Sequence, residues 1–151
     1  MRTLKNYTLK IRREAIGENP AVYTKHVHTP VDVVGLAKMI SGDSAQESML
    51  VFLLDVKNRV VGFTEAARGG IDSCPVDLRQ IFRVAIITGA CGIILAHNHP
   101  SGDAAPSSED RQLTRRVLDA AKLLGVTLVD HVIVTDNECT SMSARGELVA
   151  E

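Results

Sequence analysis

Gly92-Ile93-Ile94-Leu95-Ala96-His97-Asn98-His99 opens the stretch that decides the fold, and Pro100-Ser101-Gly102-Asp103-Ala104-Ala105-Pro106-Ser107-Ser108-Glu109-Asp110 completes it. Gly92 to Ala96 is apolar without a break, the pattern of a short strand buried on both faces. Residues 98–106 are crowded with proline, serine, glycine and aspartate, and so form a loop. From Ser107 onward Leu113, Val117, Leu118, Ala121 and Leu124 line one side of a helix, which Gly125 closes. The order is strand, loop, long helix.

Upstream, Met49-Leu50-Val51-Phe52-Leu53-Leu54 is apolar at alternate and intervening positions alike, as a central strand should be. Lys57-Asn58-Arg59 turns it into a partner at 60–65, and 66–72, with Gly69-Gly70, reads as loop or short edge structure. Pro75 at a helix start, with Val76, Ile81, Val84 and Ala85, predicts a helix to about Thr88, stopped by Gly89. Thr29-Pro30 predicts another through about Ile40, ended by Ser41-Gly42-Asp43, with a short strand before it at 21–28. Strands at 126–129, 132–135 and about 139–143 end the chain. The fold class expected is α/β, a mixed sheet covered by helices, with no internal repeat or linker.

A chain of 151 residues suits one domain, with 1–28 as an arm or edge strand and 29–151 as the body. Hydrophobic residues at 45% and charged ones at 23% exclude the disordered class. Apolar runs are strand-sized, short of the roughly 20 residues of a membrane span. The basic N-terminus has no apolar segment behind it, so no secretory signal is read and a cytoplasmic home is the default expectation. Cys74, Cys91 and Cys139 never form a C-x-x-C pair, which suggests reduced thiols. A net charge of −1 gives no general pull toward nucleic acid, and Arg2, Lys5, Lys10, Arg12 and Arg13 read as a solvated arm.

In His97-Asn98-His99 the two imidazoles point to one face while the chain stays extended, so both can reach one metal. A catalytic zinc takes three protein ligands and keeps one open position, and Asp110 in the first turn of the next helix is the natural third. Water in that position has its pKa lowered toward about 7, giving a nucleophile at neutral pH. Taken singly, each piece has a plainer reading. An H-x-H on a strand is more often a core or loop pair, and Ser107 three residues before an acid is close to a capping box. His26-Val27-His28 is a second H-x-H with no serine and acid at comparable spacing after it, and reads as structural.

His99, seven residues, Ser107, two residues and Asp110 form H-x-H-x(7)-S-x(2)-D, which resembles the motif of the JAMM metalloprotease family. His97-Asn98-His99-Pro100-Ser101-Gly102-Asp103, Pro106-Ser107, Glu109-Asp110, Leu123-Leu124-Gly125-Val126 and Asp130-His131-Val132-Ile133-Val134 are similar to the RadC family in particular. The resemblance runs from about Thr29 to Glu147. It implies a cytidine-deaminase-like three-layer sandwich, the JAMM/MPN domain, with one zinc per chain on His97, His99 and Asp110. It implies that Ser107 helps to stabilise the oxyanion of a tetrahedral intermediate and that an upstream glutamate is the general base. Glu47 matches that base, with a solvated strand-start residue as its plainer reading, and Glu65 is the reserve. Asp103 and Asp130 are either partners orienting an imidazole or, more commonly, turn carboxylates. His131 reads as a packing residue with a satisfied hydrogen bond, with a metal role as the less common reading, and Ser101 as part of a Pro-Ser-Gly turn.

The zinc deaminase signature, H-x-E with P-C-x-x-C, is absent, as are a G-x-S-x-G elbow, a P-loop and a dinucleotide fingerprint. The adjacent letters His-Asn-His do not make the nuclease of that nickname, whose three residues are dispersed. The expected function is zinc-dependent hydrolysis of a peptide or isopeptide bond in a protein or peptide substrate. The alternatives are a DNA repair or recombination accessory, the traditional label of the RadC family, and a metal-bound but idle interaction module. Full-length RadC relatives carry a helix-hairpin-helix region before the metal domain; the stretch before Thr29 is too short for one, so DNA binding by this chain is expected to be weak.

Overall fold

The computed structural model describes residues 27, 29–41, 46–69 and 76–149. The strand expected at 21–28, with His26 and His28, lies outside them apart from Val27, as do Cys74 and Pro75. The elements are α1 (Pro30–Ser41), β1 (Ser48–Leu54), β2 (Val60–Arg68), α2 (Leu78–Thr88), β3 (Gly92–Asn98), α3 (Ser108–Leu124), β4 (Thr127–Val134) and β5 (Cys139–Ser141). One mixed sheet runs in the order β2-β1-β3-β4-β5. β1 is antiparallel to β2 and to β3, β3 is parallel to β4, and β4 is antiparallel to β5. The β1–β2 turn is made by Asn58 in the left-handed region (φ 56°) and by Asp55, whose carboxylate accepts the Lys57 and Arg59 backbone N–H groups. A parallel pair needs a long crossover, and α3 provides it between β3 and β4.

Strand alternation divides the core in two. Met49, Val51, Leu53, Ile93 and Leu95 face α2 and α3, packing on Ile81, Phe82, Leu113 and Val117. Leu50, Phe52, Leu54, Ile94, Ala96, Val132 and Val134 face α1 through Val33, Leu36 and Ala37. With both faces buried, β1 and β3 have no polar side, which is why their sequences are continuously apolar. Each fully buried Leu or Ile contributes about 1.5–3 kcal/mol of transfer free energy. A mixed sheet with helices on both faces is the architecture expected from the sequence.

Three boundaries differ from the sequence expectation. β2 continues to Arg68, because Ala67 and Arg68 still pair with Met49 and Ser48. α2 starts at Leu78 with Asp77 as its cap, the Asp77 side chain accepting from Arg79 N. β4 is one strand where two were expected, and its polar middle is buried and satisfied: the Asp130 carboxylate accepts from Ser141 Oγ (2.6 Å), Ser143 N (3.0 Å) and His131 N (2.7 Å). The β3–β4 ladder shifts register there, from Ile93↔Leu128 to Ile94↔Asp130. That extra residue reverses the alternation, so His131, opposite Leu95, faces α3 and not α1. Among the described residues no helix is long and apolar enough to cross a membrane.

Candidate metal centre

β3 continues its alternation from Ile93 and Leu95 to His97, so His97 faces α3 at the strand's C-terminal end. Met49 pairs with His97, and Glu47, two residues before Met49, returns to the same face. Asn98 points the other way and fastens this segment: its Oδ1 accepts from Ser48 N (2.6 Å) and Ser48 Oγ (2.9 Å), and its Nδ2 donates to Gln46 O (3.0 Å). The loop after β3 then delivers Ser107 as the N-cap of α3. Ser107 Oγ accepts from Asp110 N (3.1 Å), while Asp110 Oδ2 accepts from Ser107 N (2.7 Å) and from Ser107 Oγ–H (2.8 Å). The capping box is therefore real, and it fixes an Asp110 side chain that is only 1% exposed.

Asp110 Oδ1 lies 2.9 Å from His97 Nδ1, and Asp110 Oδ2 lies 3.4 Å from His99 Nε2. Glu47 Oε2 is 3.9 Å from His97 Nε2, at the more open side of the cluster. The His97 and His99 rings meet edge to face, 4.6 Å between centroids. Burial pushes the Asp110 carboxyl up, but hydrogen bonds from His97, His99 and the Ser107 backbone outweigh it and hold it well below the ordinary carboxylate range. Asp110 is thus an anion. His99 is pushed up, first by its contact with Asp110 and against the effect of burial. Burial pushes His131 down to about 3, so it stays neutral.

The direction of each hydrogen bond follows from its acceptor. Ionised Asp110 has no proton to give, so His97 carries its proton on Nδ1 and leaves Nε2 as a lone pair. His99 Nδ1 faces the Asp103 carbonyl oxygen at 2.9 Å and must donate to it, and its Nε2 faces Asp110 Oδ2 at 3.4 Å. A proton or a cation between those two atoms makes the approach favourable. The same wiring, one ring N–H anchored and the other nitrogen free, is characteristic of metal-binding histidines. The buried His97 Nε2 has no hydrogen-bond partner among the described residues. The residues therefore fit a metal, and the donor atoms that lie within 4.8 Å of one another among the described residues are those of His97, Asp110 and His131, a group that leaves out His99.

The structure brings Glu47, His97, His99, Ser107 and Asp110 into one cluster. Glu65 is elsewhere: it pairs with Leu50, whose side chain faces α1, and its carboxylate is held by Arg68 at 2.6 Å. Asp103 orients His99 through its backbone carbonyl, while its carboxylate accepts from Ala105 N. Asp130 ties β4 to β5 and the turn beyond it and has no hydrogen bond to an imidazole ring among the described residues. Ser101 is exposed in its turn, its Oγ accepting from Asp103 N at 3.5 Å. Cys91 and Cys139 are free thiols. Two residues were missed: Asn98, whose only sequence signal was its place between the two histidines, and Thr114, one helical turn beyond Asp110, whose hydroxyl donates to Asp110 O at 2.6 Å.

This fold and cluster define an α/β domain of the JAB type with a candidate metal centre. A family profile described as RadC-like JAB domain matches residues 27–147. The chain belongs to the RadC family. It is 39% identical over 127 residues to a UPF0758 protein of Desulforamulus reducens, covering 84% of this chain and 56% of the relative. It is 40% identical over 132 residues to one of Carboxydothermus hydrogenoformans, covering 87% and 57%. A Clostridium perfringens relative is 41% identical over 103 residues, covering 68% and 45%. The chain spans about half the length of these curated relatives.

Proposed function

We propose that the chain is a zinc-dependent hydrolase cleaving a peptide or isopeptide bond, with one zinc per chain held by His97, His99 and Asp110. The observation that carries this reading is the pair of imidazoles anchored through Nδ1, His97 on Asp110 and His99 on the Asp103 carbonyl, with the unpartnered Nε2 of His97 buried in the same cluster as the ionised carboxylate. Two nitrogens and one carboxylate oxygen suit zinc better than magnesium or calcium, which prefer all-oxygen sites. Zinc there supplies a Lewis acid that acidifies a water and polarises the scissile carbonyl.

Glu47 is the general base in this reading. Its side chain is 34% exposed, so substrate and water reach it, and Oε2 faces the His97 Nε2 side of the cluster. The carboxylate takes the proton of the attacking water and returns it to the leaving nitrogen. Asn98 keeps Glu47 in range by clamping the backbone on both sides of it, at Gln46 O and Ser48 N. Ser107 starts with its hydroxyl on Asp110 Oδ2. Rotation about its χ1 angle turns that hydroxyl toward a substrate carbonyl oxygen, at the cost of the cap, about 1 kcal/mol.

The test is hydrolysis of a panel of peptides and lysine-linked isopeptides by the zinc-loaded chain. Glu47→Gln is expected to lower the rate by roughly 10²–10⁴-fold with zinc content unchanged. Equal rates in the two proteins would remove Glu47 from the chemistry.

A further inference from the structure

His131 is wired as His97 is. The Thr114 hydroxyl has one proton, and it is committed at 2.6 Å to the Asp110 carbonyl oxygen, which only accepts. At 2.6 Å from His131 Nδ1 the same oxygen must therefore accept, so His131 carries its proton on Nδ1 and Nε2 is a lone pair. That Nε2 is buried and has no hydrogen-bond partner among the described residues. The residue is 0% exposed, and its ring lies 6.5 Å from that of His97, the two planes 28° apart.

A lone pair buried without a donor is costly, and the fold goes to some trouble to bury this one. Only the register shift in the β3–β4 ladder turns His131 toward α3 and away from α1. One ring nitrogen each of His131 and His97 and a carboxylate oxygen of Asp110 then lie within 4.8 Å of one another. Ligands of one zinc stand no more than about 4 Å apart, so a small closure brings all three onto a single ion.

We propose that His131 Nε2 is a further ligand of the metal centre, binding from the floor of the site while His99 binds from its mouth, and that the Thr114 hydroxyl is the positioning group that fixes its tautomer. This rests on the zinc reading above. The third nitrogen moves the donor set further toward zinc, cobalt(II) and nickel(II) and away from hard cations. With four protein donors, a reacting water would need a fifth position or the release of one imidazole.

The experiment uses the full chain stripped with EDTA. Zinc affinity is measured by competition with a chromophoric chelator, and the visible spectrum is recorded after loading with cobalt(II). His131→Gln is expected to weaken zinc at least tenfold and to shift the cobalt(II) d–d bands. Thr114→Val should weaken zinc by about 10–100-fold, the usual effect of losing a group that orients a metal-bound histidine, and Thr114→Ser, which keeps the hydroxyl, should restore it. A folded His131→Gln protein with the wild-type cobalt(II) spectrum overturns the proposal, whether or not its affinity falls, because a residue that acts only by packing leaves the ligand field unchanged. If His131→Gln does not fold, the Thr114 pair decides: equal affinities for Val and Ser overturn the proposal. Wild type that binds no zinc overturns the zinc reading and this inference together, whereas tight zinc in wild type with an unaltered His131→Gln spectrum overturns this inference alone.

Discussion

His99 and His131 are pushed in opposite directions, and the consequences for stability have opposite signs. His99 is pushed up by Asp110, so its contribution is complete below the ordinary 6.5 and is lost as pH rises through its raised value. His131 is held down to about 3 against an ordinary 6.5 by burial. Between those two values the unfolded chain binds a proton at His131 that the folded chain refuses, so stability is lost as pH falls from 6.5 toward 3. The EDTA-stripped protein should therefore melt at a lower temperature near pH 4.5 than near pH 6.5, and His131→Leu should flatten that dependence. Thermal melts of both proteins at the two pH values check this, and parallel slopes would show that His131 titrates freely. At this scale the sequence was half informative about His131: its Nδ1 is satisfied, as a packing residue requires, but its Nε2 is not.

Among the elements, α3 carries the most. Its first turn does two jobs with the same atoms, since Asp110 Oδ2 completes the capping box while Oδ1 holds His97. The plain structural reading of Ser107-x-x-Asp110 and the metal reading are therefore compatible. Ser107→Ala should cost about 1 kcal/mol, read as a lower urea midpoint with an unchanged slope. No loss at all would mean that Asp110 is held by His97 without the cap. The limits of α3 were legible because serine at the cap and Gly125 in the left-handed region (φ 68°) are strong local signals. Gly89, with φ 67°, ends α2 for the same reason. β4 was not legible: the bulge at Val129 breaks the two-residue period, and Asp130 and His131 look like a turn until their partners on β5 and α3 are known. The start of α2 was misplaced because Asp77 caps it while a proline nearby drew the boundary earlier.

At the scale of the molecule, the sheet order brings three remote pieces of sequence to one end of β3. β1 lies beside β3 in antiparallel register and so carries Glu47 to His97. α3 returns across the same face and carries Asp110 to both histidines. The mixed sheet and its two covered faces could be read from 49–54 and 92–97, since continuous apolar runs have one physical meaning when turns bound them. Which glutamate approaches the histidines was less legible, because it depends on the pairing of β1 with both neighbours; that pairing puts Glu65 on the α1 face. Asn98 was invisible as a clamp for the same reason: its partners come from a segment fifty residues away.

The most direct test of the metal centre is elemental mass spectrometry on the chain purified without a metal-binding tag, beside its His97→Ala/His99→Ala variant. About one zinc per chain in wild type and none in the variant is the result expected of a catalytic zinc site with these ligands. The same content in both proteins, or none in wild type after zinc is supplied, would contradict it.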